Sequence, residues 1–280
     1  MKSDDPMIIA RTLEELSSAR KTLENIGFVP TMGALHQGHL ALIETAKITG
    51  FTPVASVFVN PTQFGPKEDL SVYPRDEAGD IAKLKASGCM LLWMPDVKTM
   101  YPADDSTIIQ VGMPSLKWEG QQRPGHFNGV ATIVTKLFGQ IQPKAAFFGE
   151  KDWQQVQVIQ RVVKDLCLPV RIVTVPTVRD TDGLALSSRN QYLCAEERQT
   201  APLFYKALQQ AVQDMLAGKA PSDALQKTCE TLLKAGIEPN YIALVHAETL
   251  EPINQLVAPA RLIAAAKLGR VRLLDNLPLS

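Results

Sequence analysis

Short apolar runs alternate with stretches of helical periodicity over the first two thirds of the chain. Residues 26–30, 51–59, 89–94, 145–148 and 170–175 are apolar or β-branched and of strand length, and 107–111 is a further strand candidate. Between them, residues 39–47, 76–86 and 153–166 place apolar side chains at helical spacing, and Asn128 is a candidate cap for a helix running to about Gln140. No element is predicted before Ile26. Strands separated by helices predict an α/β domain with a parallel sheet covered on both faces. The pattern changes near Pro176, where a polar loop, 179–190, leads into helical stretches 195–216 and 222–234. Three short strand candidates follow, 241–245, 261–267 and 271–274. The expected division is residues 1–177 and a smaller α+β domain, 178–280.

Composition narrows the class. The 280 residues carry 29 Lys+Arg against 29 Asp+Glu and are 45% hydrophobic, as in an ordinary globular protein. That balance points to neither a nucleic-acid nor a membrane partner. No run of 18 apolar residues and no signal-peptide core is present, and the four cysteines are scattered without a Cys-x-x-Cys pair. A reducing, cytoplasmic setting is therefore expected, with neither a disulfide framework nor a zinc cluster.

Five polar segments fall at strand ends or in loops. Met32-Gly33-Ala34-Leu35-His36-Gln37-Gly38-His39 lies where the first predicted strand hands over to a helix. Free N–H groups and a partial positive charge there suit a phosphate, and two imidazoles could stabilise developing charge. The glycine spacing imitates a P-loop, but His39 stands in place of its Lys and Leu40 in place of its Ser/Thr, and no Gly-x-Gly-x-x-Gly occurs. Two surface histidines at a turn is the alternative, and a metal site is disfavoured because only His126 and His246 remain. Asn60-Pro61-Thr62-Gln63 offers uncharged amides suited to a hydroxy acid, or forms a capped turn. Gly149-Glu150-Lys151-Asp152, followed by Gln155, offers a cation for phosphate and carboxylates for a hydrated Mg²⁺ or ribose, or is an ordinary helix start. Leu186-Ser187-Ser188-Arg189 could grip phosphate or be a solvated loop. Arg123-Pro124-Gly125-His126 could position substrate or shape a loop. No Gly-x-Ser-x-Gly or Cys/His nucleophile is apparent, so activation would come from a cosubstrate. Trp93, Phe147 and Phe148 read as core.

Taken in order, these segments resemble the pantothenate synthetase family. The resemblance also rests on Tyr73-Pro74-Arg75, Glu119-Gly120, Phe127 and Asp182-Gly183-Leu184-Ala185. It is dense from about residue 27 to 193 and continues more loosely to Asp275-Asn276. Trp118 stands where Leu is expected, and Asp76 where Thr is common. His-x-Gly-His alone marks only the wider nucleotidyltransferase superfamily.

The resemblance implies a Rossmann-like, doubly wound N-terminal domain and a C-terminal lid domain. It implies a cytoplasmic homodimer joining pantoate to β-alanine with Mg²⁺-ATP through an acyl-adenylate. Residues Met32 to His39, Gly149 to Asp152, Val178 and Leu186 to Arg189 would then contact ATP. His36, His39 and Lys151 would be catalytic, Gln63 and Gln155 would hold pantoate, and Gln63 would also face β-alanine. Mg²⁺ would arrive with ATP, with no dedicated protein metal site. Two rivals remain at this stage: a nucleotidyltransferase acting on a phosphate ester, and a nucleotide sensor without turnover.

Overall fold

The computed structural model describes residues 7–66 and 68–279 and divides the chain into two compact units. The first contains the residues through Gly149 together with Gln155–Pro176, and the second contains Glu150–Gln154 and the residues from Thr177 onward.

In the first unit, β1 (Ile8–Ala10), β2 (Ile26–Thr31), β3 (Thr52–Val57), β4 (Leu91–Trp93), β5 (Ala145–Gly149) and β6 (Arg171–Val175) form one parallel sheet in the order β1-β4-β3-β2-β5-β6. Both faces are buried. One carries Phe28, Val54, Leu91 and Ala146 beneath α1 (Leu13–Arg20), α6 (His126–Ile141) and α7 (Trp153–Asp165). The other carries Val29, Ala55, Leu92 and Phe147 beneath α2 (Gln37–Ile48) and α3 (Glu77–Ser87). Two-sided burial explains why these strands read as continuous apolar runs rather than alternating ones. This is the doubly wound, Rossmann-like architecture expected. Short helices α4 (Val97–Met100) and α5 (Glu119–Gln122) lie in the connection from β4 to α6. Trp93 and Phe147 are fully buried and Phe148 nearly so, as core residues.

Three sequence expectations are corrected. Residues 107–111 form no strand: the Ile109 N–H donates to Thr132 Oγ1 on α6 at 2.9 Å, and Ile108 is 75% exposed. Their β-branched composition supplied strand propensity without a partner edge. Helix α6 starts at His126, not at Asn128, after Gly125 turns the chain at φ 83°. The stretch 195–216 is two helices, α8 (Ala195–Thr200) and α9 (Pro202–Leu216), because Pro202 lacks the N–H needed to continue the first. The N-terminal β1 and α1 went unpredicted, although Thr12 and Glu15 form a capping box at α1. Asp76, the departure from the family pattern, caps α3 by accepting the Gly79 N–H at 3.0 Å.

The second unit packs α9 and α10 (Pro221–Lys234) against an antiparallel sheet, β7 (Glu238–His246), β8 (Ala260–Leu268) and β9 (Val271–Leu279). The central β8 is built from Ala264, Ala265 and Ala266, all fully buried. Among the described residues, no helix is long and apolar enough to cross a membrane.

Candidate active site

The strand order reverses between β2 and β5, so their C-terminal ends, Thr31 and Gly149, flank the crevice where an open parallel sheet receives ligands. After β2 the chain turns through two left-handed residues, Gly33 at φ 84° and Ala34 at φ 51°. The second is a non-glycine conformation costing roughly 1–2 kcal/mol. A buried carboxylate holds it there. Asp80 of α3, 1% exposed, accepts the Ala34 N–H at 2.8 Å and the Leu35 N–H at 2.7 Å. Lys83, one turn further on, donates to the Leu35 carbonyl at 2.8 Å. A Cβ at Gly33 would stand 3.0 Å from Asp80 Oδ2, so that position needs glycine for space as well as for φ. Burial raises the Asp80 carboxyl above its usual pKa, and the two N–H donors oppose that rise. Asp80 was not singled out from sequence, yet there was a signal: it shares the buried face of α3 with Leu84, where an apolar residue is expected.

The turn delivers the two histidines to the start of α2. His36 Nδ1 accepts the Gly38 N–H at 3.1 Å, and His39 Nδ1 accepts the His36 N–H at 3.3 Å, a capping box made of imidazoles. The rings lie 4.1 Å apart between centroids. Accepting at Nδ1 places the proton of each neutral ring on Nε2. Each ring thus carries a donor at Nε2 while its other nitrogen caps the helix.

The Asn60–Gln63 segment joins this turn. Gln63 is buried and its Nε2 donates to Met32 Sδ at 2.9 Å. Its Oε1 accepts from Asn60 Nδ2 at 3.1 Å, and Asn60 Oδ1 accepts from the Tyr101 hydroxyl at 2.7 Å. Those bonds set the amide with its N–H₂ side toward Met32. Asn60 Nδ2 also donates to the Gly129 carbonyl of α6 at 3.2 Å. Gly129 lies so close to this segment that a Cβ there would be 2.5 Å from the Thr62 carbonyl oxygen and 2.7 Å from Gln63 Cα. A glycine inside a helix, costing about 1 kcal/mol relative to alanine, was the sequence signal for that approach.

Arg123 and His126 fasten the same segment. His126 Nδ1 donates to the Gln63 backbone carbonyl at 2.8 Å, and its Nε2 accepts from Arg123 at 3.0 Å. Arg123 also grips both carboxylate oxygens of Glu68, at 2.8 and 2.7 Å. Burial raises Glu68, and the Arg123 bonds more than reverse that, leaving it below its usual pKa. Burial first, and Arg123 second, push His126 down to about 4 from an ordinary 6.5. Between those values the unfolded chain binds a proton that the folded one does not. Stability should therefore fall as pH drops from about 6.5 towards 4, by on the order of 3 kcal/mol at the lower end. His126→Asn keeps a donor for the Gln63 carbonyl and removes the titrating ring. Its urea-unfolding free energy should lose that part of the pH slope, and an unchanged slope would assign it to other groups.

The remaining candidates belong to the second unit, except Gln155, half-buried at the start of α7 in the first. Glu150–Asp152 form a 3-10 turn. Glu150 pairs with Arg261 at 3.2 Å, and Lys151 Nζ lies 3.6 Å from Asp152. The Leu186 N–H donates to the Val178 carbonyl at 3.0 Å, and Ser187 Oγ accepts the Arg189 N–H at 3.3 Å, shaping the 178–190 loop. Among the described residues no group of three or more His, Cys, Asp or Glu is placed to hold a metal ion.

Fold and site together define a Rossmann-like α/β protein with paired imidazoles on a helix N-terminus at the topological switch point. Comparison with known proteins takes this further. The family described as Pantoate-beta-alanine ligase matches residues 8–278. A pantothenate synthetase of Granulibacter bethesdensis is 53% identical over 277 residues, covering 97% of this chain and 96% of its own. The crystal structure of pantothenate synthetase from Thermus thermophilus superposes with a TM-score of 0.93 at 49% identity, over 98% of this chain and 99% of that one. A pantoate-beta-alanine ligase from Francisella tularensis, complexed with beta-gamma ATP and beta-alanine, superposes with a TM-score of 0.82 at 36% identity, over 97% of both chains. The chain belongs to the pantoate-beta-alanine ligase family.

Proposed function

We propose that this protein makes pantothenate from pantoate and β-alanine, converting ATP to AMP and pyrophosphate through a pantoyl adenylate. The observation that carries the reading is the family match along nearly the whole chain, residues 8–278. The Francisella relative's complex with beta-gamma ATP and beta-alanine supports the choice of cosubstrates.

Pantoate's carboxylate is anionic and resonance-stabilised, so it is a poor electrophile. One of its oxygens attacks the α-phosphorus, the bond to the bridging β-phosphate oxygen breaks, and pyrophosphate leaves. The amine of β-alanine then attacks the acyl carbon, the acyl C–O bond breaks, AMP leaves, and the new amide nitrogen loses a proton.

The 32–39 turn and the start of α2 are assigned to the nucleotide, with Nε2–H of His36 and His39 donating to phosphate oxygens. Lys151 and the Ser187–Arg189 loop stabilise further phosphate charge, Gly149 to Asp152 belong to the same ATP set, and Val178 offers its backbone to adenine. Gln63 and Gln155 hold pantoate, and Gln63 also faces β-alanine. Its Asn60 bond makes the Gln63 amide a donor, which suits a carboxylate or hydroxyl oxygen. Mg²⁺ neutralises part of the phosphate charge when it arrives with ATP. Of the two carboxylates in this segment, Asp152, 46% exposed, would hold the hydrated ion, since Glu150 is engaged by the largely buried Arg261. The second unit is assigned the lid role, excluding water from the labile anhydride. A cytoplasmic homodimer completes the proposal.

One assay tests the activity. Pyrophosphate release should require pantoate but not β-alanine, and AMP release at full rate should require both. A nucleotide left on the product would mean a nucleotidyltransferase, and no turnover at all would mean a sensor.

A further inference from the structure

Lys151 lies on a segment that the second unit holds by a set of buried and part-buried polar bonds. Asn276 of β9, 5% exposed, donates from Nδ2 to two consecutive carbonyls, Glu150 at 2.8 Å and Lys151 at 2.9 Å. The amide cannot be turned the other way. Arg261 of β8 has only donors, and its Nη1 lies 2.8 Å from Asn276 Oδ1, so Nδ2 must face the two carbonyls. Arg261 also reaches Glu150 Oε2 at 3.2 Å and stacks 3.5 Å above the Trp153 ring, whose Nε1 donates to the Ala247 carbonyl at 2.7 Å. From the other side, the Asn276 N–H donates to Asp275 Oδ1 at 2.8 Å. Asp275 is buried and doubly bonded to Arg179, at 2.5 and 2.8 Å, at the start of the loop that carries Ser187–Arg189. One hydrogen-bonded chain therefore runs from the base of the phosphate loop to the backbone of Lys151.

We propose that Asn276 is the positioning residue for Lys151: its amide clamps the Glu150 and Lys151 carbonyls, and through Arg179 and Asp275 registers Lys151 with the Ser187–Arg189 loop during adenylate formation. The inference rests on the reading that Lys151 acts on ATP phosphates. A lysine ammonium is a point charge on a flexible stem, so its backbone anchor determines where it can reach. A misplacement of about 1 Å in such a group can cost on the order of 10²-fold in rate.

The test is a double-mutant cycle of Asn276→Asp and Lys151→Ala, read as pantoate-dependent pyrophosphate release by the full-length protein. Asn276→Asp keeps the acceptor for Arg261 but turns an oxygen toward the two carbonyls. It should lower kcat by on the order of 10²-fold, leave the KM for pantoate unchanged, and cost little more once Lys151 is already alanine. Lys151→Ala with near-parental activity would remove the assigned role of Lys151, whatever Asn276 does. A crippled Lys151→Ala beside a normal Asn276→Asp would overturn the clamp. Effects that multiply in the double variant would also overturn it, because Asn276 would then act by another route. If Asn276→Asp fails to fold, Asn276→Ser, which retains one donor, enters the same cycle with the same readings.

Discussion

His39→Asn should lower pantoate-dependent pyrophosphate release by about 10²–10³-fold while leaving the melting temperature close to that of the parent. The two outcomes separate because the imidazole's two nitrogens are distinct: one caps the helix, and the proposal assigns the other to ATP. Nδ1 accepts the His36 N–H at the start of α2, and asparagine Oδ1 can occupy nearly the same place and accept the same bond. Nε2–H has no counterpart in asparagine, so the donor that the proposed mechanism assigns to developing phosphate charge is lost. His39→Ala removes both, and should add a capping loss of about 1 kcal/mol to the same kinetic defect. A His39→Asn protein that releases pyrophosphate at nearly the parental rate would reduce the residue to a cap.

Gly129→Ala should raise the KM for pantoate by roughly tenfold or more and destabilise the protein by about 1–3 kcal/mol, the usual cost of overpacking. On helix propensity alone the change should stabilise, so the sign of the result is informative. The added methyl has nowhere to go: the neighbours at 2.5–2.7 Å are the backbone of Thr62 and Gln63, which cannot rotate aside as a side chain could. Displacing them moves Gln63 away from Met32 and from its bond with Asn60. Gly139, ten residues further along α6 with open space around it, is the control. Gly139→Ala should gain about 0.4–1 kcal/mol and leave the KM for pantoate alone. An unchanged pantoate KM in Gly129→Ala would show that the close contact shapes the fold without bearing on the acid.

The parallel sheet and its alternation with helices were legible because two-sided burial makes strands continuously apolar, and residues 26–30 and 145–148 carry little else. The candidate site's first segment was legible for a different reason: Gly33, His36, Gly38 and His39 form a dense local pattern at a strand-to-helix change. What escaped was supplied from a distance. Asp80 is some 45 residues from the turn it supports, Tyr101 is 41 from the Asn60 it orients, and Asn276 is 125 from Lys151. Local periodicity cannot show such pairings, although a carboxylate on the buried face of α3 and a glycine within α6 both announce that something unusual is opposite. Arg123 and His126 could equally have faced substrate or the loop. The structure commits their nitrogens to Glu68, to each other and to the Gln63 carbonyl. The 107–111 error has the opposite origin, since propensity was present and the tertiary partner was not.

The first strand has a consequence for how the chain is made. β1 is three residues long, sits at the sheet edge, and pairs with β4, Ile8 opposite Leu91. Translation delivers Ile8–Ala10 well before their partner, which emerges only after β2, α2, β3 and α3 have been synthesised. Closing so long a loop is entropically unfavourable until the intervening sheet exists, so residues made early find their place late. Their brevity suits that delay, because a three-residue edge offers little template for another nascent chain.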